Sequence, residues 1–240
     1  GPDLIDAALR TCITLSKPVY IEISSDTGGL PCRLVPDEPL TAAPVPQDTL
    51  LLKEAVTATM ERLKDPDKTK NLVLLGGVEI ARHGLQELFA ELCQLLQAPY
   101  LTTLFGKSIL SEYRDDVYFS GIFNGNNTQP NVLELIKAAD CVVSMGVQET
   151  DFNFAGLANP VTGEITVPTC AIDARRGVVK MSLQDGNDQY WGAVRLEPFI
   201  KELVAELKKL PNGKLSNAPF PGLASGTPWD IPKPIAKDGS

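Results

Sequence analysis

The chain has 240 residues, of which 43% are hydrophobic, and its mean hydropathy is −0.02. This length suits one large domain or one ordinary domain with extensions, and the composition excludes wholesale disorder. Acidic residues outnumber Lys and Arg by 30 to 22, and the resulting net charge of −8 repels nucleic-acid phosphates and anionic lipids. The sequence contains no apolar run long enough for a membrane helix. We therefore expect no nucleic-acid partner and no membrane partner.

The histidine and cysteine content limits the metal chemistry that the chain could perform. His83 is the one histidine, which excludes a metal site built from several histidines. The five cysteines are widely spaced and include no Cys-x-x-Cys pair, so neither a zinc site nor a disulfide framework is indicated. We expect reduced thiols, a cytoplasmic protein and no metal site in this chain.

Two proline clusters divide the chain, because proline removes a backbone donor and restricts the residue before it. Five of the 19 prolines lie within residues 31–46, and six lie within 211–234. We therefore predict linkers at 31–46 and 211–240 on either side of a compact core at 47–210.

The first 30 residues have the pattern of a separate α-β piece. Residues 3–15 are predicted to be a helix, and Pro18–Ser24 is predicted to be a strand. Gly1-Pro2 is typical of a protease-cleavage scar. We expect residues 1–30 to be the tail of a preceding domain.

Short apolar runs alternate with helical patterns through the core. Because the strand candidates are continuously apolar rather than alternating, both faces of their sheet must be covered. We predict an α/β fold, a doubly wound and mostly parallel sheet with helices on both faces, as in Rossmann-like domains. The predicted strands are Asn71–Leu75, Tyr100–Leu104, Cys141–Met145, Thr169–Asp173 and a short one around Ala193–Arg195, and the predicted helices span 85–96, start near Pro130 and start near Pro198.

The loops after these strands are candidate binding sites, because ligands bind doubly wound sheets at the carboxyl ends of the strands. Gly76 and Gly77 would let a ligand approach the backbone, although the loop that they begin does not match a dinucleotide or P-loop pattern. The alternative is a plain tight turn. Arg82 and His83, predicted at a helix start, could hold an anion or sense pH, or His83 could be a structural residue.

Asp173 is a second candidate, since an acid at the end of a strand can bind a ribose hydroxyl. Arg175 and Arg176 follow it and could meet a phosphate. The alternative is solvated charge in a loop. The core shows no assembly of nucleophile, base and oxyanion site.

A series of motifs resembles the thiamine diphosphate-dependent 2-oxo acid decarboxylases, the pyruvate and indolepyruvate decarboxylase group. The strand 17–26 resembles the segment that closes the first domain of that family. Further motifs follow in family order over roughly 17–207. They are Gly106-Lys107-Ser108, Gly121-Ile122-Phe123-Asn124-Gly125, the strand 138–146, and Asp151-Phe152-Asn153.

The resemblance implies that the chain is the central α/β domain of a three-domain enzyme. In the family, thiamine diphosphate and Mg²⁺ are bound by the first and third domains, so we expect neither cofactor and no catalytic residue in this chain. The expected partners are the flanking domains of the same chain and other subunits of a homo-oligomer.

The resemblance also bears on regulation. Substrate-activated members carry a regulatory cysteine on the central domain, and Glu79 or Ile80 occupies that position here. Related enzymes bind flavin or adenine nucleotides on the corresponding domain, which keeps Gly76, Gly77 and Asp173 open as a nucleotide or flavin site. A non-catalytic regulatory homologue is a further alternative to a carboxy-lyase that releases carbon dioxide from a 2-oxo acid.

Overall fold

The computed structural model describes residues 1–32, 34, 38–114, 116–154, 170–211 and 215. The chain divides into two compact units, Gly1–Pro46 and a second unit that begins at Gln47. The linker predicted at 211–240 lies almost entirely outside the described residues, as does part of the linker predicted at 31–46.

The first unit contains helix α1, Pro2–Leu15, as the sequence predicts. The Arg10 side chain donates a hydrogen bond to the Thr41 carbonyl at 3.0 Å, which ties a later segment of the unit to this helix. The strand predicted at Pro18–Ser24 is wrong, because these residues are irregular. A strand needs a neighbour for its backbone groups, and within the described residues this segment pairs with none.

The second unit contains one sheet, to which seven strands of the described chain contribute, with the order β3-β2-β1-β4-β5-β6-β7. The strands β1 to β5 pair in parallel, whereas β6 and β7 pair antiparallel at one edge. The strands are β1 Leu72–Gly76, β2 Pro99–Thr103, β3 Tyr118–Phe123, β4 Cys141–Met145, β5 Cys170–Arg175, β6 Val178–Leu183 and β7 Gln189–Gly192. The helices are α2 Thr49–Lys64, α3 Val78–Arg82, α4 Gln86–Leu96, α5 Pro130–Lys137, α6 Asp151–Phe154 and α7 Leu196–Lys208.

Alternate residues of β1 enter two different cores, one on each face of the sheet. Leu72 and Leu74 pack with the apolar residues of α2, α4 and α7. Val73 and Leu75 pack with Val132, Ile136 and other apolar residues on the α5 side. The predicted doubly wound, mostly parallel α/β sheet with helices on both faces is therefore confirmed.

One edge of the sheet differs from the sequence prediction. The strand predicted around Ala193–Arg195 is wrong, because β7 ends at Gly192 and Ala193, with φ of 54°, turns the chain away from the sheet. Arg195 is instead the N-cap of α7. The predicted start of β5 at Thr169 lies outside the described residues.

The sequence analysis also missed the helix α2 and the strands β3 and β6. Helix α2 has a clear start signal, because the Asp48 carboxylate accepts hydrogen bonds from the amides of Leu50 and Leu51 at 2.9 and 3.0 Å. Its buried residues recur at helical spacing, a pattern that could have revealed it. They are Leu52, Ala55, Val56, Thr59, Met60 and Leu63.

Candidate functional site

The strand order reverses between β1 and β4, and the carboxyl ends of these strands meet at that point. Doubly wound domains bind ligands in the crevice that such a reversal usually opens. Strand β1 ends at Gly76, Gly77 follows it as the N-cap of α3, and Gly146 follows β4. Gly106, from the loop after β2, lies against Gly76. We call these four residues the glycine junction.

Backbone hydrogen bonds close the crevice at the glycine junction. The Gly77 amide donates to the Met145 carbonyl at 2.9 Å, and the Gly146 amide donates to the Ala174 carbonyl at 2.7 Å. The Glu79 amide, in the first turn of α3, donates to the Gly146 carbonyl at 3.1 Å. In nucleotide-binding domains a phosphate accepts hydrogen bonds from the amides at a helix start. Here the Gly146 carbonyl accepts the bond from the Glu79 amide instead.

The close contacts of the glycine junction require residues without a side chain. A Cβ atom on Gly77 would overlap the Gly146 carbonyl oxygen and the Val147 Cα. A Cβ atom on Gly106 would lie 2.6 Å from the Gly76 carbonyl oxygen. Gly146 adopts φ of 65°, in the left-handed region that glycine tolerates best. These glycines are therefore explained by packing of the chain on itself.

Beside the junction lies a charged cluster on β5 and the loop after β4. The Arg175 Nε lies 2.5 Å from Asp173 Oδ2, and its Nη2 lies 3.1 Å from Glu149 Oε2. Burial raises the pKa of Asp173 to about 7, although the charge of Arg175 opposes this shift. Asp173 therefore faces a guanidinium of its own strand, and its carboxylate is not held toward a ligand.

Glu79 and His83 lie at the two ends of the five-residue helix α3. The Glu79 Oε2 accepts a hydrogen bond from the Arg176 amide at 2.9 Å, which ties α3 to the turn between β5 and β6. His83 is the C-cap of α3, so its predicted place at a helix start is wrong. Partial burial lowers the pKa of His83, and the nearby Glu79 charge offsets this shift only in part. Arg82 is exposed, and within the described residues it forms no cluster with Glu79 and His83.

The motif residues after β2 and β4 hold two loops together. The Asn153 side chain is fully buried, accepts a hydrogen bond from the Phe105 amide at 3.2 Å and donates one to the Gln148 carbonyl at 2.9 Å. The rings of Phe105 and Phe152 stack with centroids 5.1 Å apart and are both largely exposed. Lys107 is exposed. Of Asp151 only the backbone position, at the start of α6, is described.

The motif residues Asn124 and Gly125 lie at the carboxyl end of β3, in and beside a short 3₁₀ turn. Asn124 borders an open cleft of about 370 Å³ that Phe119 and Ile122 also line. Its Oδ1 atom is buried and has no hydrogen-bond partner within the described ranges. The structure thus brings Gly76, Gly77 and Gly106 together, but leaves Asn124 in a separate cleft.

The described residues do not fit a thiamine diphosphate or a divalent metal. Across the parts of the chain that the structure covers, no three His, Cys, Asp or Glu side chains are grouped to hold a metal ion. The position where a diphosphate would meet a helix start is taken by the Gly146 carbonyl. No helix within the described ranges is long and apolar enough to cross a membrane.

These features define a Rossmann-like α/β domain whose reversal point is closed by its own backbone. Residues 58–179, about half of the chain, match the family described as thiamine pyrophosphate enzyme, central domain. The chain belongs to this family, and the resemblance inferred from its motifs is confirmed.

The curated relatives that match the chain are longer proteins. Pyruvate decarboxylase isozyme 2 of Saccharomyces cerevisiae is 29% identical over 155 residues, which are 64% of this chain and 26% of that protein. Pyruvate decarboxylases of Kluyveromyces marxianus and Candida glabrata give the same identity and the same shares. The chain therefore spans about a quarter of the length of these relatives.

The glycine junction predicts a large loss of stability for Gly77→Ala. The added methyl group overlaps backbone atoms that cannot rotate away, so we expect the free energy of unfolding to fall by about 3 kcal/mol or more. The matched control is Gly192→Ala, because a Cβ there meets its nearest neighbour at an ordinary 3.5 Å. Urea unfolding measures both. Equal, small losses in the two variants would contradict the packing described for Gly77.

Asp173 predicts a pH dependence of stability. Its pKa is about 7 in the folded chain and about 4 in an unfolded one, so the folded state holds the proton more tightly between these values. Stability therefore falls as the pH rises from about 4 to about 7, and levels off above that range. We expect the melting temperature of the wild type, relative to Asp173→Asn, to decrease across this window.

Asp116→Asn is the control for this experiment. The hydrogen bond from Arg114 lowers the pKa of Asp116 to about 2, so its contribution is complete above about pH 4. The difference in melting temperature between wild type and Asp116→Asn should be flat from about pH 5 to 8. A flat profile for Asp173→Asn as well would show that Asp173 is ionised throughout.

Proposed function

We propose that this chain is the central structural and regulatory domain of a thiamine diphosphate-dependent 2-oxo acid decarboxylase of the pyruvate or indolepyruvate type. The observation that carries the proposal is the family match over residues 58–179. The relatives named as pyruvate decarboxylases support the reaction class. In the whole protein, a carboxy-lyase, the reaction would release carbon dioxide from pyruvate, indolepyruvate or a related 2-oxo acid.

In this proposal other domains bind thiamine diphosphate and Mg²⁺. The donor chemistry of the described residues supports this division, because the glycine junction uses its amides on carbonyls of the chain. The charges of the cluster near β5 are likewise paired internally, since Arg175 faces both Asp173 and Glu149. The chain alone is then not catalytically competent.

The role of the domain is to support assembly with its flanking domains and with other subunits of a homo-oligomer. The exposed Phe105 and Phe152 rings supply an apolar surface on loops that Asn153 fixes in place. Exposed aromatic rings of this kind are common in protein interfaces. The free thiols of Cys93, Cys141 and Cys170 agree with a reducing, cytoplasmic location.

Two other functions remain as competitors. A nucleotide- or flavin-binding module would use Gly76, Gly77 and Asp173, but these residues are engaged in backbone packing and an ion pair.

A regulatory homologue without catalysis would share this central domain. The flanking sequence separates it from an active enzyme. An active enzyme carries an upstream glutamate for the aminopyrimidine and a downstream Gly-Asp-Gly…Asn-Asn motif for the diphosphate.

The purified chain should release no carbon dioxide from pyruvate or indolepyruvate when thiamine diphosphate and Mg²⁺ are supplied. Pyruvate decarboxylase isozyme 2 of Saccharomyces cerevisiae serves as the positive control, and a cooperative thermal transition of the same sample shows that the chain is folded. Release of carbon dioxide above the blank by the chain alone would overturn the division of labour proposed here.

Calorimetry with flavin adenine dinucleotide, ADP and NAD decides between the domain classes. We expect no binding heat from any of them, because the amides at the reversal point are already bonded. Tight binding of one of these ligands, lost in Asp173→Asn but kept in Asp116→Asn, would favour the nucleotide-binding module instead.

A further inference from the structure

Two of the five cysteines are neighbours in the sheet, at the end opposite to the glycine junction. Cys141 begins β4 and Cys170 begins β5, and the two residues are register partners in the parallel pairing of these strands. Both belong to the core on the α2, α4 and α7 face. Their side chains therefore leave the same face of the sheet side by side.

The spacing of register partners suits a covalent bond between them. Neighbouring strands lie about 4.8 Å apart. The Cα atoms of a disulfide lie about 4.4–6.8 Å apart. The Cα spacing of the two residues therefore falls within the range of a disulfide.

The hydrogen bond between the two thiols distinguishes them. The hydrogen bond from Cys141 lowers the pKa of Cys170, burial raises it, and the positive charge of Arg62 lowers it further, with a net lowering. The same hydrogen bond, together with burial, raises the pKa of Cys141, although the charge and hydrogen bond of Arg62 oppose this shift. The lower pKa of Cys170 favours it as the nucleophile of the pair.

An open cavity of about 580 Å³ lies beside β6, the strand next to Cys170. Arg62, Met181 and Leu183 line it, and Leu183 is the register partner of Cys170 on β6. The Arg62 Nε is buried and has no hydrogen-bond acceptor in the described part of the chain. A small polar oxidant that enters this cavity would meet the Arg62 guanidinium, whose charge and hydrogen bond also act on Cys141.

We propose that Cys141 and Cys170 are a redox-active dithiol that hydrogen peroxide converts into an intramolecular disulfide. The Cys170 thiolate attacks one peroxide oxygen, so that an S–O bond forms, the O–O bond breaks, and the leaving hydroxide takes up the proton that Cys170 released. The Cys141 sulfur then attacks the sulfenic sulfur of Cys170, and the S–O bond breaks as water leaves with the Cys141 proton. Two thiols are oxidised, and one peroxide is reduced to two waters.

The disulfide closes a loop of about 30 residues and joins β4 to β5 covalently. A crosslink of this size restricts the unfolded chain, so oxidation stabilises the domain. The site is distinct from the loop after β1, where Glu79 and Ile80 stand. It lies at the opposite ends of the strands.

The primary test is a peptide map of the full chain after treatment with hydrogen peroxide under native conditions, followed by alkylation and digestion without reductant. We expect one crosslinked species that joins the Cys141 and Cys170 peptides. The melting temperature should rise by about 5–10 °C and return after treatment with dithiothreitol. Recovery of both cysteines as alkylated thiols, under conditions that oxidise the exposed Cys32, would overturn the proposal.

Single variants test the order of the two steps. In Cys141→Ser, dimedone should label Cys170 as a sulfenic acid at least about tenfold more than the buried Cys93. In Cys170→Ser, Cys141 should stay unlabelled. Cys93→Ser is the matched control and should form the disulfide as the wild type does. Equal labelling of Cys141 and Cys170 in the two variants would contradict the assigned roles, and if a variant fails to fold, the wild-type peptide map decides alone.

Discussion

The packing of Gly77 against the backbone of Gly146 and Val147 is the contact on which the rest of the second unit depends. It brings the ends of β1 and β4 together at the reversal point, and it sets where α3 begins. From α3, the Glu79 carboxylate reaches the Arg176 amide, so the same contact also aligns the antiparallel edge of the sheet. A wider residue at position 77 would separate all of these elements.

The same contact decides what the domain can do. A doubly wound sheet usually presents free amides to an anionic ligand at its reversal point. Here the Gly77 amide is bonded to the Met145 carbonyl at the end of β4, and the Glu79 amide is bonded to the Gly146 carbonyl in the loop after it. This agrees with the proposal that other domains bind the cofactor.

The sequence predicted strands best where both faces of the strand are buried. The runs that became β1 and β4 are apolar on both faces, so their continuous hydrophobicity predicted them directly. Strand β6 alternates in burial at the edge, and it was missed. The strand predicted at Pro18–Ser24 failed because an apolar run indicates a strand only when a partner is present. At the site, Gly76 and Gly77 were singled out as a candidate ligand loop, whereas in the structure they pack against the chain itself, and contacts between positions as distant as 77 and 146 leave no local signal.

The claim that the reversal point is closed can be tested most directly by native-state hydrogen exchange. If the glycine junction is closed, the amides of Gly77, Glu79 and Gly146 should exchange as slowly as those of Leu74 and Val143 in the central strands. They should also be unaffected by added diphosphate. Exchange at the rate of exposed loop amides, or protection that appears only when diphosphate is present, would show an open crevice and contradict the account.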